Sequence, residues 1–302
     1  MRLLLIAALI IAPFSYSSAA DGVLEINQTC AAGPGCFPGD EPGFPVRILN
    51  SGSYVLTSNL VLPPLEDGIT TRLNDTDLPS EIRVSLNLNG FSISSTTTCS
   101  GQPLICSPTS TTDGVGILLG AVPDSSIHIQ NGTVKGLANV GVLCAGACVI
   151  RNLVVSENGS GGIRTNGALH GVLARRNGGL AGFHVVNDGV VQNSTSTFNA
   201  GHGFFGGGSY IGNQALLNGD AGFFVIAASL SGNTVNGATT GIHCQACSAH
   251  NNVITDVQTG IDFDDDEAVY GGNVIFATTA AVANAGDAIQ SYANSCQSTP
   301  CP

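Results

Sequence analysis

Few residues of this chain are equipped for chemistry, and they fall into three groups. The first is the run Asp262-Phe263-Asp264-Asp265-Asp266-Glu267, five carboxylates in six residues. Carboxylates this close repel one another. They can share a cation through oxygen ligands, which makes Asp264, Asp265 and Asp266 candidates for Ca²⁺. They can instead divide into an acid and a base, with Asp262 and Asp264 in those roles. Without a partner they form a solvated acidic loop. The second group is a concentration of positive charge: Lys135, Arg151, Arg164, Arg175 and Arg176 lie within 42 residues of a chain that holds only nine Lys and Arg. A guanidinium clamps a carboxylate or sulfate through paired hydrogen bonds, provided the arginines share a face. The third group is the imidazoles, chiefly His184 and His243, suited to proton transfer or to hydrogen bonding.

The ten cysteines form five near neighbours: Cys30-Cys36, Cys99-Cys106, Cys144-Cys148, Cys244-Cys247 and Cys296-Cys301. The N-terminus carries Arg2, an apolar stretch from Leu3 to Pro13, and small residues up to Ala20. That is the plan of a signal peptide cleaved near Ala20, for a protein secreted, periplasmic or held at the cell surface. An export signal and an even cysteine count point to five short-loop disulfides. Zinc is the rival for Cys144, Cys148, Cys244 and Cys247. In the repeat described next these pairs stand five coils apart, more than about 20 Å, too far for one tetrahedral site. The apolar stretch is too short to span a bilayer, so no stable membrane span is expected. A net charge of −12 makes nucleic acid an improbable partner.

From about residue 140 the chain repeats every 19 to 21 residues. A glycine opens a short apolar run at Gly141-Val142, Gly162-Ile163, Gly182-Phe183, Gly203-Phe204, Gly222-Phe223, Gly241-Ile242 and Gly260-Ile261. An asparagine follows about ten residues later, at Asn152, Asn193, Asn213, Asn233, Asn252 and Asn273, with Gly171 filling one gap. Another precedes the next glycine, at Asn158, Asn177, Asn199, Asn218 and Asn236. A fixed period near twenty marks a solenoid. The runs between turn residues are too short for helices and rich in Val, Ile, Phe and Thr, so each coil holds three short strands. Stacked coils pair as parallel sheets, and the asparagines can stack as inward amide ladders.

In Asn158-Gly-Ser-Gly-Gly162-Ile163, Asn218-Gly-Asp-Ala-Gly222-Phe223 and Asn236-Gly-Ala-Thr-Thr-Gly241-Ile242 the chain resembles the right-handed parallel β-helix repeat proteins, the pectate-lyase-like superfamily. The resemblance implies an all-β, single-stranded right-handed solenoid with capped ends, and a role on polysaccharides. It is strong over 112–280 and weaker over 44–95. It names no reaction, because the superfamily holds lyases, hydrolases, epimerases, adhesins and inert scaffolds. Polygalacturonase, pectate lyase and alginate epimerase motifs are missing, apart from Gly201-His202-Gly203, which the repeat itself accounts for. The expected organisation is a signal peptide at 1–20, an N-terminal cap at 21–43, the β-helix at 44–280 with a loop insertion at about 96–113, and a C-terminal cap or tail at 281–302.

Strand alternation then sorts the side chains. Val142, Ile163, Phe183, Phe204, Phe223, Ile242 and Ile261 point inward. The outward row reads Leu143, Arg164, His184, Phe205, Phe224, His243, Asp262, and a second row ends at Gln245 and Asp264. Phenyl rings flanked by imidazoles and charges suit sugars, which have apolar faces and polar rims. The row is either a ligand groove or a patch covered by a loop, a tail or another subunit. The expected function is binding of an extracellular, possibly acidic, polysaccharide or cell-surface glycan through Phe205, Phe224, His243, Arg175 and Arg176. Cleavage or modification is a further expectation. A lyase would use Arg164 or His184, and a glycoside hydrolase Asp262, Asp264 or Asp265. The alternative is a non-catalytic structural or adhesive module.

Overall fold

The computed structural model describes residues 22–71, 81–120, 125–264, 267–286 and 288–297. The expected signal peptide, Asp265, Asp266 and Cys301 lie outside the described residues. The chain is a right-handed parallel β-helix of about 11 turns, and among the described residues one four-residue helix, Gln28–Ala31, lies near the N-terminal end. Among the described residues no helix is long and apolar enough to cross a membrane.

Each coil contributes strands to three faces. The first face follows the landmark glycines, and its register is Leu118, Leu143, Arg164, His184, Phe205, Phe224, His243, Asp262, Ala283 on successive rungs. One residue earlier on each rung, Val142, Ile163, Phe183, Phe204, Phe223, Ile242 and Ile261 are all buried. Phe183, Phe204 and Phe223 form a ring stack with centroids 5.0 and 4.6 Å apart.

The corners explain the repeat and correct the asparagine series. Between the second and third faces eight successive rungs place Asn or Gly at positive φ: Asn131, Asn152, Gly171, Asn193, Gly212, Gly232, Asn251 and Gly272. Only residues that tolerate the left-handed region fit there. The next residue on each upper rung points inward and carries the amide ladder. Asn213, Asn233, Asn252, Asn273 and Asn294 are linked Nδ2 to Oδ1 at 3.0–3.1 Å. Asn152 and Asn193 are therefore corner residues, one place before the ladder, and the ladder position beside Asn193 holds Ser194, whose N–H donates to Asn213 Oδ1. The other ladder runs Asn158, Asn177, Asn199, Asn218, each step 2.9 Å. Asn236 is not part of it, and donates instead to Thr255 Oγ1. Asn158 is fully buried.

The landmark glycines have a steric reason. A Cβ on Gly203 would sit 2.8 Å from the Asn218 amide nitrogen and 2.6 Å from the Gly222 carbonyl. The amide ladder occupies the space a side chain would need.

The stack extends past both expected boundaries. Leu24–Ile26 already pairs with Tyr54–Leu56, inside the expected cap. The helix after it is capped by Asn27, whose side chain accepts from Cys30 N, and Cys30 bonds to Cys36. At the other end Val274–Ala283 is a full strand, with Ile289–Gln290 and Ser295–Cys296 laid on the coil below. Cys99–Cys106, Cys144–Cys148 and Cys244–Cys247 are also joined, and Cys296 is disulfide-bonded.

Candidate functional site: an aromatic strip on the first face

Four side chains of the outward row meet ring to ring or ring to edge, and the structure adds a fifth ring. His184 meets Phe205 edge-on at 4.9 Å. Phe205 and Phe224 stack at 5.4 Å, and Phe224 stacks on His243 at 4.4 Å and 17°. His202 lies over both phenyl rings, 5.7 Å from Phe205 and 5.0 Å from Phe224. All of these side chains except His202 are half-buried, so the strip presents ring surface to solvent.

Alternation counted from Phe205 places His202 inside, and the structure places it outside. The reason is the landmark glycine: position 203 faces the amide ladder, so the period-two pattern restarts there. The other members of the same ladder, Ala181, Ala221 and Thr240, are small. The one large residue on a row of small ones has room to fold over its neighbours, and that contrast is the sequence signal for it.

The two ends of the strip differ in charge. Arg164 is exposed one rung below His184. At the other end His243 Nε2 donates to Asp264 Oδ2 at 2.8 Å, and its Nδ1 is 3.5 Å from Asp262 Oδ2. Gln245 Nε2 donates to the same Asp264 oxygen at 2.7 Å, and Asn284 Nδ2 donates to Asp262 Oδ1 at 2.8 Å. The hydrogen bonds from Gln245 and His243 hold the Asp264 carboxyl below the usual carboxylate range. Five rungs separate Arg164 from Asp262, about 24 Å, so one sugar cannot touch both. Among the described residues no group of three His, Cys, Asp or Glu is placed to hold a metal ion.

Arg175 and Arg176 are not on this face. Arg175 pairs in register with Ser156 and Thr197 on the third face. Arg176 is at the neighbouring corner, 3.5 Å from Glu157, and donates to the Cys99 carbonyl. It anchors the expected loop insertion, where Thr98–Ser100 and Ile105–Ser107 form an antiparallel hairpin. Ser160 Oγ donates to the Ser110 carbonyl at 2.7 Å and helps fasten the same segment. The hairpin overhangs Arg176, Phe198 and Leu217, leaving a 290 Å³ cleft whose lining includes neither Phe205 nor Phe224. The expected cluster of basic residues is thus dispersed. Lys135 and Arg175 lie on the third face, Arg151 on the second and Arg164 on the first.

Burial lowers the pKa of His184, with Arg164 adding to the effect. It also lowers that of His202, where His243 adds and Asp220 opposes. The His202 geometry agrees with a neutral ring, since its Nδ1 accepts from Ala221 N at 3.3 Å. An imidazole whose pKa is depressed by folding contributes stability that is present above its unfolded value, about 6.5, and lost as pH falls through the folded value. The unfolding temperature is therefore expected to fall as the pH drops below about 6.5. His184→Gln combined with His202→Gln should flatten that slope. Asp264 acts only in the carboxylate range, below about pH 4, and does not confuse the readout. An unchanged slope in the double variant would contradict the assignment.

No protein-family model matches the chain, and comparison with curated proteins finds no match. Among solved structures it is similar to the A-module of the mannuronan C-5 epimerase AlgE6 of Azotobacter vinelandii, at 16% identity and a TM-score of 0.52, covering 89% of this chain and 88% of that one. It is also similar to full-length tailspike protein 2 of Escherichia coli O157:H7 bacteriophage CAB120, at 12% identity and a TM-score of 0.50, covering 83% of this chain and 38% of that one. At these identities the likeness establishes the β-helix and nothing finer.

Proposed function

We propose that the protein binds an extracellular polysaccharide along the first face, with sugar rings laid on the strip from His184 to His243. The observation that carries this reading is the run of half-exposed rings on four consecutive rungs, with hydrogen-bonding groups at both ends. Rings spaced at the rung repeat of about 4.8 Å give an extended polymer a continuous apolar floor. Asp220, Asp262 and Asp264 along the upper strip favour uncharged sugars there, whose hydroxyls donate to the carboxylates. An acidic residue has a partner only at the Arg164 end. The shared fold of an enzyme whose substrate is mannuronan is in keeping with this reading. The disulfides suit an oxidising, extracytoplasmic compartment.

Recognition is the function the geometry supports best, ahead of catalysis. The ring run spans four rungs, whereas the titratable groups are confined to its two ends, and in the Asp262-His243-Asp264 group the carboxylates are already engaged by His243, Gln245 and Asn284. The test is binding of the purified protein to neutral, uronic and sulfated polysaccharides, with unsaturated-uronate absorbance and reducing ends followed in the same wells. Phe205→Ala or Phe224→Ala is expected to weaken binding of a neutral polymer about tenfold, from the lost stacking. Binding without new reducing ends or absorbance fits a recognition or adhesive module. Rising absorbance would instead make it a lyase, and direct substitution to Arg164 and His184. Failure to bind any polymer, or binding indifferent to both substitutions, would refute the reading.

A further inference from the structure

The second face carries basic and amide side chains that the aromatic strip does not use. Gln130, Arg151, His170 and Gln192 occupy four successive rungs of one outward row. The neighbouring row is His128, Val149, Ala168, Val190. Arg83 is paired with Ser126 on the adjoining rung. Arg151, His170, His128 and Arg83 are exposed. The surface is not flat. Arg151, His170 and Gln192 rim a depression of 370 Å³ floored by Val149, Ala168 and Val190. Arg83 and His128 rim another of 500 Å³ with Ser53 and Ser85, and there the Arg83 guanidinium is already paired with Glu81 at its edge, which leaves Arg151 as the guanidinium open to a ligand. Among the described residues neither depression is lined by a carboxylate, in a chain of net charge −12. Higher on the same face the sign reverses, and Asp188 and Glu267 border the surface around Ser209, Ser229 and Ser248.

We infer that the lower half of the second face is a separate binding surface for an anionic polysaccharide segment, carboxylated or sulfated. Arg151 would pair with the acidic group, and Gln130 and Gln192 would bond to hydroxyls on either side. The apolar floor accepts the ring face of a sugar. Nucleic acid fits less well. Arg151 and, two rungs away, an Arg83 already paired with Glu81 do not match a duplex carrying one charge per about 1.7 Å, and the remaining surface is acidic. The inference goes beyond the first-face reading and does not depend on it.

The experiment uses the disulfide-intact protein at low salt with four probes: polygalacturonate, dextran sulfate, neutral dextran and duplex DNA. Arg151→Ala is expected to weaken binding of at least one acidic polysaccharide about fivefold, as for an exposed charge contact, and to leave its unfolding temperature unchanged. Lys135→Ala, on the third face and outside both surfaces, should change that affinity less than about twofold. The preferred polymer distinguishes carboxylate from sulfate. The inference is overturned if neither acidic polysaccharide binds, if Arg164→Ala rather than Arg151→Ala removes the affinity, or if DNA binds more tightly than both. Loss of the Phe205 and Phe224 effect with the Arg151 effect intact would remove the first-face reading alone.

Discussion

Asn199→Ala is expected to lower the free energy of unfolding by about 3–5 kcal/mol. Asn199 is the centre of a buried network. Its Oδ1 accepts from both the backbone N and the Nδ2 of Asn177, each at 2.9 Å. Its Nδ2 donates to Asn218 Oδ1 and Ser196 Oγ at 2.9 Å, and to the Ala174 carbonyl at 3.3 Å. Truncation orphans the Asn177 N–H and takes a donor from three buried acceptors, Asn218 Oδ1, Ser196 Oγ and the Ala174 carbonyl. Leaving such groups unsatisfied costs about 1–3 kcal/mol each. Asn193→Ala is the matched control. It has the same side chain, but sits exposed at a corner with φ of 49°, outside the ladder. Its loss should reflect only the left-handed backbone, about 1 kcal/mol. Chemical denaturation of both variants measures the difference, and equal losses would mean that the ladder does not support the stack. The denaturation slope matters as much as the midpoint, because a solenoid weakened at one rung can open on one side of it first.

The contrast between these two asparagines also shows where the sequence is legible. Period, parallel pairing and the first-face register follow from spacing and alternation alone, because a one-residue slip would turn Phe183, Phe204 and Phe223 out to solvent. The asparagine series was harder to divide. Corner and ladder residues are adjacent, and asparagine serves both, once for its tolerance of positive φ and once for its amide. Spacing of about ten residues cannot separate two roles one residue apart. His202 was hidden for a related reason, since alternation does not continue through a glycine whose missing side chain faces the ladder. The arginines cluster along the chain but not in space, because a coil of about twenty residues visits three faces. Nearness along the chain therefore says little about nearness in space. Arg164 and Arg175 are 11 residues apart and stand on different faces, whereas Arg151 and His170 are 19 apart and stand side by side.

Phe204→Ala and Phe205→Ala, adjacent and chemically identical, are expected to have opposite consequences. Phe204 is fully buried and stacked at 5.0 Å on Phe183 and at 4.6 Å on Phe223, with Tyr210 edge-on at 6.0 Å. Removing it empties the middle of a ring column that cannot collapse, because backbone pairing fixes the rungs on either side. A loss of about 3–5 kcal/mol in unfolding free energy follows. Phe205 is half-buried, and its neighbours His184, His202 and Phe224 remain as a platform when it is cut back. Its loss should be about 1 kcal/mol in stability, with the larger effect on polysaccharide affinity. Denaturation and polymer binding measured on both variants resolve the two faces of one strand. At a temperature where both remain folded, Phe204→Ala should bind as the parent does, since its ring lies on the far side of the sheet from the polymer. If Phe205→Ala proved the more destabilising, or Phe204→Ala alone abolished binding while folded, the inward and outward assignment on which the strip rests would be wrong. Similar stability losses for the two would point to a Phe205 ring covered in the working protein, and so to the structural rather than the ligand-binding account of the strip.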